Sequence, residues 1–216
     1  MAIFLRMTID CCAWQFTQTM VFLLASGLVF GTAAEAVEMS KTEYQLLPAY
    51  CRNQGNVASQ YFKPDNEAQW RNRLGQNHAH IHHYCWGIVS VGRGYKAGQS
   101  GSERKHHFSV AVSDFIFSIE RSTPEFALLP EMYTKLGEAY LGLRDDKNAE
   151  LAFQKAWEAN PTYWPAYVWW SQRLLKQGKV REALAVAEEG KKNAPDSKSL
   201  DKLIDEIKGS GKAARN

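Results

Sequence analysis

The sequence predicts an all-α protein, a short helical solenoid of about three helix pairs closed by a capping helix. Two observations support this prediction. Residues 130–161 and 164–197 correspond position by position at a spacing of 34 residues. After them, Leu200, Leu203 and Ile207 recur at helical spacing opposite a charged face. Repeated units of this length bury their apolar faces against each other, and a final helix with one polar face ends the array.

The bulk composition is that of a folded domain. The chain has 216 residues, of which 45% are hydrophobic and 23% are charged, as is typical of globular proteins and not of disordered ones. The formal net charge is +3, and basic residues are mixed with acidic ones throughout. The composition therefore gives no argument for binding to nucleic acid or to an anionic membrane surface.

Residues 1–36 are predicted to be a signal peptide. Met20–Phe30 is an apolar run of signal-peptide length, too short to span a bilayer comfortably. Ala34-Glu35-Ala36 then supplies the small residues that signal peptidase requires. Cleavage there removes one basic and two acidic side chains and leaves a net charge of +4. We therefore expect a periplasmic or secreted protein; the alternative is a protein anchored to the membrane through an uncleaved N-terminal segment.

Cleavage would also leave two cysteines, Cys51 and Cys85. An even cysteine count in an exported chain favours a disulfide, because the compartments outside the cytoplasm are oxidising. The alternative is two thiols that are free or bound to a metal, since Cys85 follows a run of histidines.

The first of the two corresponding segments reads PEMYTKLGEAYLGLRDDKNAELAFQKAWEANP. Its pattern of small, aromatic and proline residues is set by Tyr133, Leu136, Gly137, Tyr140, Ala149, Phe153, Ala156 and Pro161. With these residues at this spacing, the segment resembles a tetratricopeptide repeat, a helix–turn–helix unit. Small residues such as Gly137 let the two helices approach closely, large ones such as Phe153 fill the space between units, and Pro161 ends the second helix.

The pattern recurs in the next unit with one departure. The corresponding residues are Tyr167, Trp170, Ser171, Leu174, Ala183, Ala187, Gly190 and Pro195. Small positions stay small and apolar positions stay apolar, except that Phe153 is replaced by Ala187. Gly178 also falls at the turn between the two helices of this unit.

Upstream, the strict spacing fails, and we predict a degenerate repeat. Trp86-Gly87 could replace the Leu-Gly pair, and Ile116 precedes Pro124 by the same distance as Phe153 precedes Pro161. Its helices are expected near 79–96 and 105–121, joined by a long Gly/Ser-rich connection. The predicted organisation is a signal peptide at 1–36, a mixed N-terminal segment at 37–75, the degenerate repeat at 76–126, two repeats at 127–197, and a capping helix with a tail at 198–216.

The resemblance also implies a binding surface. Tetratricopeptide arrays hold a peptide or protein partner in a groove lined by the first helix of each unit. The positions that match this groove are Glu131, Thr134, Glu138, Leu141, Pro165, Val168, Gln172, Leu175 and Lys176, with Tyr84 and Ile88 added by the degenerate repeat. Trp164 and Trp169 exceed what repeat packing uses. They either anchor a partner or cover the N-terminal segment of the same chain.

A histidine cluster, His78, His80, His82 and His83, precedes Cys85. On a helix, His78 and His82 share one face while His80 and His83 share another, so the four cannot meet in one site. In an extended segment, the first three would line one side and could bind a transition metal. The alternative is an ordinary repeat helix whose histidines pack or face solvent, which the absence of Asp and Glu from the cluster favours.

The sequence thus predicts an exported adaptor or scaffold that binds a protein or peptide partner in the bacterial envelope and supports complex assembly. We find no nucleophile elbow, no HExxH motif and no dinucleotide-binding loop, so we expect neither an enzyme nor a cofactor. The alternative function is a periplasmic metal-binding or metal-delivery protein that holds a divalent transition metal at His78–His83.

Export can be tested on the protein's N-terminus. We expect cleavage after Ala36, so N-terminal sequencing of the periplasmic or secreted form should begin at Val37. Recovery of an intact N-terminus in the membrane fraction would establish an anchor instead.

Overall fold

The computed structural model describes residues 38–58, 64–96 and 101–213, and the predicted signal peptide lies outside these ranges. The helices are α1 Lys41–Leu46, α2 Ala49–Arg52, α3 Gly55–Ala58, α4 Glu67–Leu74, α5 Ile81–Tyr95, α6 Gly101–Glu120, α7 Leu129–Gly142, α8 Asp146–Ala159, α9 Trp164–Lys176, α10 Val180–Asn193 and α11 Lys198–Ala213, with a short 3-10 helix at Gly75–Ala79. Within the described ranges there is no strand, which confirms the all-α prediction. None of these helices is both long enough and apolar enough to cross a bilayer.

Consecutive helices pack as pairs, α5 with α6, α7 with α8, and α9 with α10. The first helices of the pairs also contact one another in order, from α5 to α7, α9 and α11. A continuous row of first helices therefore runs through the array, as expected for a solenoid of helix pairs.

The turn inside each of the two later pairs has the same backbone conformation. Gly178, between α9 and α10, has φ +76°, and Arg144, between α7 and α8, has φ +63°. Only glycine adopts this left-handed region without strain, so the second unit carries the better turn residue. At the first turn, Asp145 caps α8, because its side chain accepts a hydrogen bond from the Asn148 amide at 3.1 Å.

Glycines set against aromatic rings bring the paired helices together. A Cβ atom built at Gly137 would lie 2.7 Å from the Phe153 ring, and one at Gly190 would lie 2.6 Å from the Tyr167 ring. These distances are too short for a real side-chain contact, so each ring occupies the space that a Cβ would need. The close approach predicted from the small residues of the repeat pattern is present at both positions.

The α5–α6 pair uses the same contact with a different ring from the one expected. A Cβ at Gly87 would overlap the ring of Phe115, which is fully buried, whereas Ile116 is only half-buried. Phe115 therefore packs on the glycine of the first helix, the role predicted for Ile116. The prediction placed this role eight residues before Pro124, as in the later repeat. That position is wrong by one residue, because α6 ends at Glu120 and an irregular turn connects it to the proline.

The long connection predicted between these two helices is shorter than expected. α5 ends at Tyr95 and α6 already begins at Gly101, so the stretch SERKHH is helical. α6 has 20 residues against 14 in α8. The additional residues of this pair therefore lengthen a helix, because Glu, Arg and Lys are good helix formers despite the flanking glycines.

Two apolar cores run through the described residues. The first joins the N-terminal residues Met39, Tyr44, Leu47, Tyr50, Cys51 and Val57 to α5, α6 and α7. The second lies among α8, α9, α10 and α11. Tyr133 and Tyr140 pack against both, so α7 is the element that makes the two cores continuous.

Substitutions at two glycines of α5 should separate packing from helix propensity. Gly87→Ala should lower the free energy of unfolding by about 1–3 kcal/mol, because its methyl group must displace Phe115. Gly92→Ala is the matched control on the same helix, where a Cβ meets nothing within 4 Å. It should stabilise the protein by up to about 1 kcal/mol. Urea unfolding of the two variants should therefore give midpoint shifts of opposite sign, and equal shifts would contradict this account of the α5–α6 contact.

Candidate functional site

A disulfide attaches the N-terminal segment, defined here as residues 38–58, to the repeat array. Cys51 on α2 is bonded to Cys85 on α5, with their Cα atoms 5.6 Å apart. Both cysteines are fully buried in the first core. The expected disulfide is therefore present, and it links a segment without helical periodicity to the helix that contains His82 and His83.

A shared carboxylate joins the N-terminal segment to two first helices. Glu131 on α7 accepts hydrogen bonds at Oε1 from the Tyr50 hydroxyl at 2.6 Å and from the Tyr84 hydroxyl at 2.8 Å. The two tyrosine rings stack with their centroids 6.4 Å apart. Burial raises the pKa of both phenols most; the charge of Glu131 comes next at Tyr50, and the neighbouring Tyr50 and then Glu131 come next at Tyr84. Both phenols therefore stay protonated and donate. Glu131 thus ties α2, α5 and α7 together.

An ion pair holds the other end of the segment. Arg93 on α5 donates to both carboxylate oxygens of Glu43, at 2.8 and 3.0 Å, and to the carbonyl of Glu38 at 2.9 Å. The hydrogen bond from Arg93 lowers the pKa of Glu43 to about 2. Glu43 also completes the capping box of α1 with Ser40. The pair is largely shielded from solvent, with 11% and 13% of the two side chains exposed.

The groove positions predicted on α7 therefore have partners within the chain. Thr134 is 3% exposed and donates to the Pro130 carbonyl, and Glu138 is 5% exposed and accepts from Lys135 at 2.7 Å. Together with Ile88 and with Glu43 and Leu47 of the N-terminal segment, Glu138 lines a cavity of about 310 Å³. The N-terminal segment therefore meets the predicted groove face at Glu131 and lines a cavity with Ile88 and Glu138, while Thr134 and Glu138 have almost no exposed surface.

The groove positions predicted on α9 are more open. Gln172 and Lys176 are exposed, and Pro165, Val168 and Leu175 are half-buried, as is Leu141 at the end of α7. Trp164 leaves 38% of its surface exposed, whereas Trp169 is half-buried and packs against the second core. The exposed part of the predicted face therefore lies on α9, with Trp164 at its N-terminal end.

Tyr163 marks the border between the covered and the open part. It is half-buried and directly precedes α9. Burial raises the pKa of its phenol, and the negative charge of Glu131 raises it further. The charge of Glu131, which binds Tyr50 and Tyr84, therefore also acts on Tyr163, the residue before α9.

The four clustered histidines do not converge on one point. His78 is buried in the 3-10 helix with no hydrogen-bond partner for Nε2, and His82 lies on α5 with a buried Nδ1 that also has none. His83 shares a hydrogen bond between Nδ1 and Asp114 Oδ1 at 2.9 Å, and its ring lies against Phe117 at 3.9 Å. His80 meets Phe117 at an edge, with the ring centroids 6.3 Å apart.

The acidic partner of this cluster was missed from the sequence. Asp114 lies on α6, and burial raises its pKa while the hydrogen bond with His83 opposes that shift. The register of the two helices places Asp114 opposite His83, a relation that no local motif records. Across the described part of the chain, no group of three or more His, Cys, Asp or Glu side chains is arranged to hold a metal ion. The geometry gives the metal hypothesis no support.

Comparison with known proteins does not identify the family. No family model matches the sequence, and no curated protein matches it. Assignment to a class of protein therefore depends on the repeat pattern and the helix packing.

The buried histidines should make folding sensitive to mild acid. Burial lowers the pKa of His78, with Arg71 also lowering it and Glu67 opposing. Burial likewise lowers the pKa of His82, where His83 and His80 add to the effect and the Ala79 backbone and Asp114 oppose it. Below the ordinary histidine pKa of 6.5 the unfolded chain therefore binds protons that the folded chain does not, and the free energy of unfolding should fall as the pH falls.

The measurement is urea unfolding between about pH 7 and pH 5, a range above the titration of ordinary carboxyl groups. The double variant His78→Gln and His82→Gln should show a shallower loss of stability across this range than the unmodified protein. Burial and then the charge of His106 lower the pKa of His107, so His106→Gln is the comparison variant and should change the slope less than the double variant does. Identical slopes in all three proteins would show that the two buried histidines do not cause the effect.

Proposed function

We propose that the mature chain is an exported tetratricopeptide-repeat adaptor that binds a protein or peptide partner in the bacterial envelope and supports assembly of a complex. The partner lies along the open part of the groove face on α9. Binding there involves no chemical step.

The repeat assignment is supported by agreement between sequence and packing. The positions that define the repeat pattern include Gly137, Phe153, Tyr167 and Gly190, and these residues make the glycine-on-ring contacts within the α7–α8 and α9–α10 pairs. The first helices also form the continuous row that a groove of this type requires.

Export is supported by the cysteines. A disulfide between Cys51 and Cys85 forms and persists in an oxidising compartment, whereas cytoplasmic reductants keep thiols reduced. The apolar run and the small residues before Val37 agree with that destination. The cysteine pair and the N-terminal apolar run are independent features of the sequence, and both favour export to an oxidising compartment.

The exposed ring of Trp164 is the observation that carries the binding proposal. Trp164 leaves 38% of its surface exposed in the row of first helices, and tryptophan is enriched among the residues that dominate binding energy. It lies on the same helix as the exposed Gln172 and Lys176, which offer an amide and a cation. The surface thus combines an apolar anchor with groups that can orient a bound segment.

Trp164→Ala should weaken partner capture by about tenfold or more, the effect of losing an aromatic anchor. The measurement is capture from envelope extracts on immobilised mature protein, with the bound proteins identified and quantified by mass spectrometry. Trp169→Ala should also reduce capture. Because this ring packs against the second core, circular dichroism must first show that the variant keeps the helix content of the unmodified protein.

Leu151→Ala is the matched control, since Leu151 is another exposed large apolar residue, on α8 and outside the row of first helices. It should leave capture unchanged. Equal yields of the same proteins with Trp164→Ala and with the unmodified chain would show that α9 is not the binding surface.

A further inference from the structure

We infer that the N-terminal segment, residues 38–58, is a ligand built into the chain, which occupies the groove face of α5 and α7 and closes it to other segments. The inference rests on the proposed function, because the groove face is defined by the tetratricopeptide resemblance. It adds to that function the kind of segment that the α5 and α7 part of the groove face recognises.

The contacts of the segment are those of a bound peptide. Two charged side chains of the array act as receptors, Glu131 for the Tyr50 hydroxyl and Arg93 for the Glu43 carboxylate. Between them, the apolar side chain of Leu47 is buried beside Ile88. Charge-assisted hydrogen bonds at both ends and an apolar contact in the middle are how short helical segments are held in grooves.

Apart from Arg93, the residues that meet the segment on this face are ones that the repeat pattern assigns to ligand binding. Tyr84, Ile88, Glu131 and Glu138 occupy groove positions, and each contacts the segment or lines a cavity with it. A segment that only capped the end of the array would instead cover the outer surface of the first pair. The face thus accepts a short helical segment that carries an acidic side chain near its start and a tyrosine hydroxyl further along.

The disulfide makes this occupancy permanent in the oxidised protein. A covalent link keeps the segment at a high effective concentration next to the face, on the order of millimolar, so a free peptide of equal affinity at micromolar concentration does not displace it. Only the surface on α9 then remains for an external partner. The segment therefore decides which part of the groove face is available.

The test separates the segment from the array while keeping every residue present. A protease recognition sequence is inserted between Gln60 and Tyr61 of the mature chain, with the cysteines intact or with Cys51→Ser and Cys85→Ser. After cleavage, a fluorescent peptide of residues 38–58 carrying Cys51→Ser is added, and its binding is followed by anisotropy. Hydrogen exchange of residues 130–195 is measured on the same samples.

With the disulfide intact, the cleaved protein should take up no peptide. Without the disulfide, it should exchange its segment for the peptide saturably, while residues 130–195 keep their protection. In the cleaved protein without the disulfide, Glu131→Gln should weaken peptide binding by about tenfold, because the hydrogen bonds from Tyr50 and Tyr84 lose their charged acceptor. Glu158→Gln, an exposed glutamate on α8, should have no effect.

Two results would overturn the inference. If residues 130–195 lose protection together with the segment, then the segment is part of one cooperative core and not a ligand. If the repeats stay protected but the peptide does not bind, the face does not recognise the segment in this way. Capture through Trp164 is measured on the uncleaved protein, so a failure of the proposed partner site is distinguishable from a failure of peptide exchange.

Discussion

The contact of a glycine with an aromatic ring is the interaction on which the rest of this structure depends. It brings two helices closer than side chains normally permit, and it recurs as Gly87 on Phe115 and as Gly137 on Phe153. Because this contact sets the distance between the helices of a pair, it also sets where the next first helix lies. The row from α5 to α11, and any surface along it, follows from a spacing fixed inside each pair.

The N-terminal segment determines how that surface is divided. Its polar contacts join Tyr50 to Glu131, a predicted groove position, and Glu43 to Arg93, and both are partly shielded from water, which strengthens such bonds. The chain thereby removes two charged groups from the exposed surface. What remains exposed on α9 is the ring of Trp164 together with Gln172 and Lys176, which in the proposed function supply an aromatic anchor and polar groups for a partner.

The parts that could be predicted from the sequence are those encoded within one repeat unit. The helices at 129–193 and the capping helix depend on residues a few positions apart, so a local sequence pattern is enough to predict them. The role given to Ile116 was wrong because a proline count cannot detect where a helix ends. The contacts of Tyr50 with Glu131 and of His83 with Asp114 could not be predicted, since they join distant residues whose proximity depends on tertiary packing.

The burial of both cysteine sulfurs has a consequence for how the protein matures. Since neither Cys51 nor Cys85 is exposed, an oxidant or a disulfide isomerase reaches the thiols of the reduced protein only while α2 is displaced from α5. Oxidation therefore requires an open first core, either before its packing is complete or during a later displacement of the segment. The rate at which the protein matures is then set by how often that core opens as well as by the oxidant that is present.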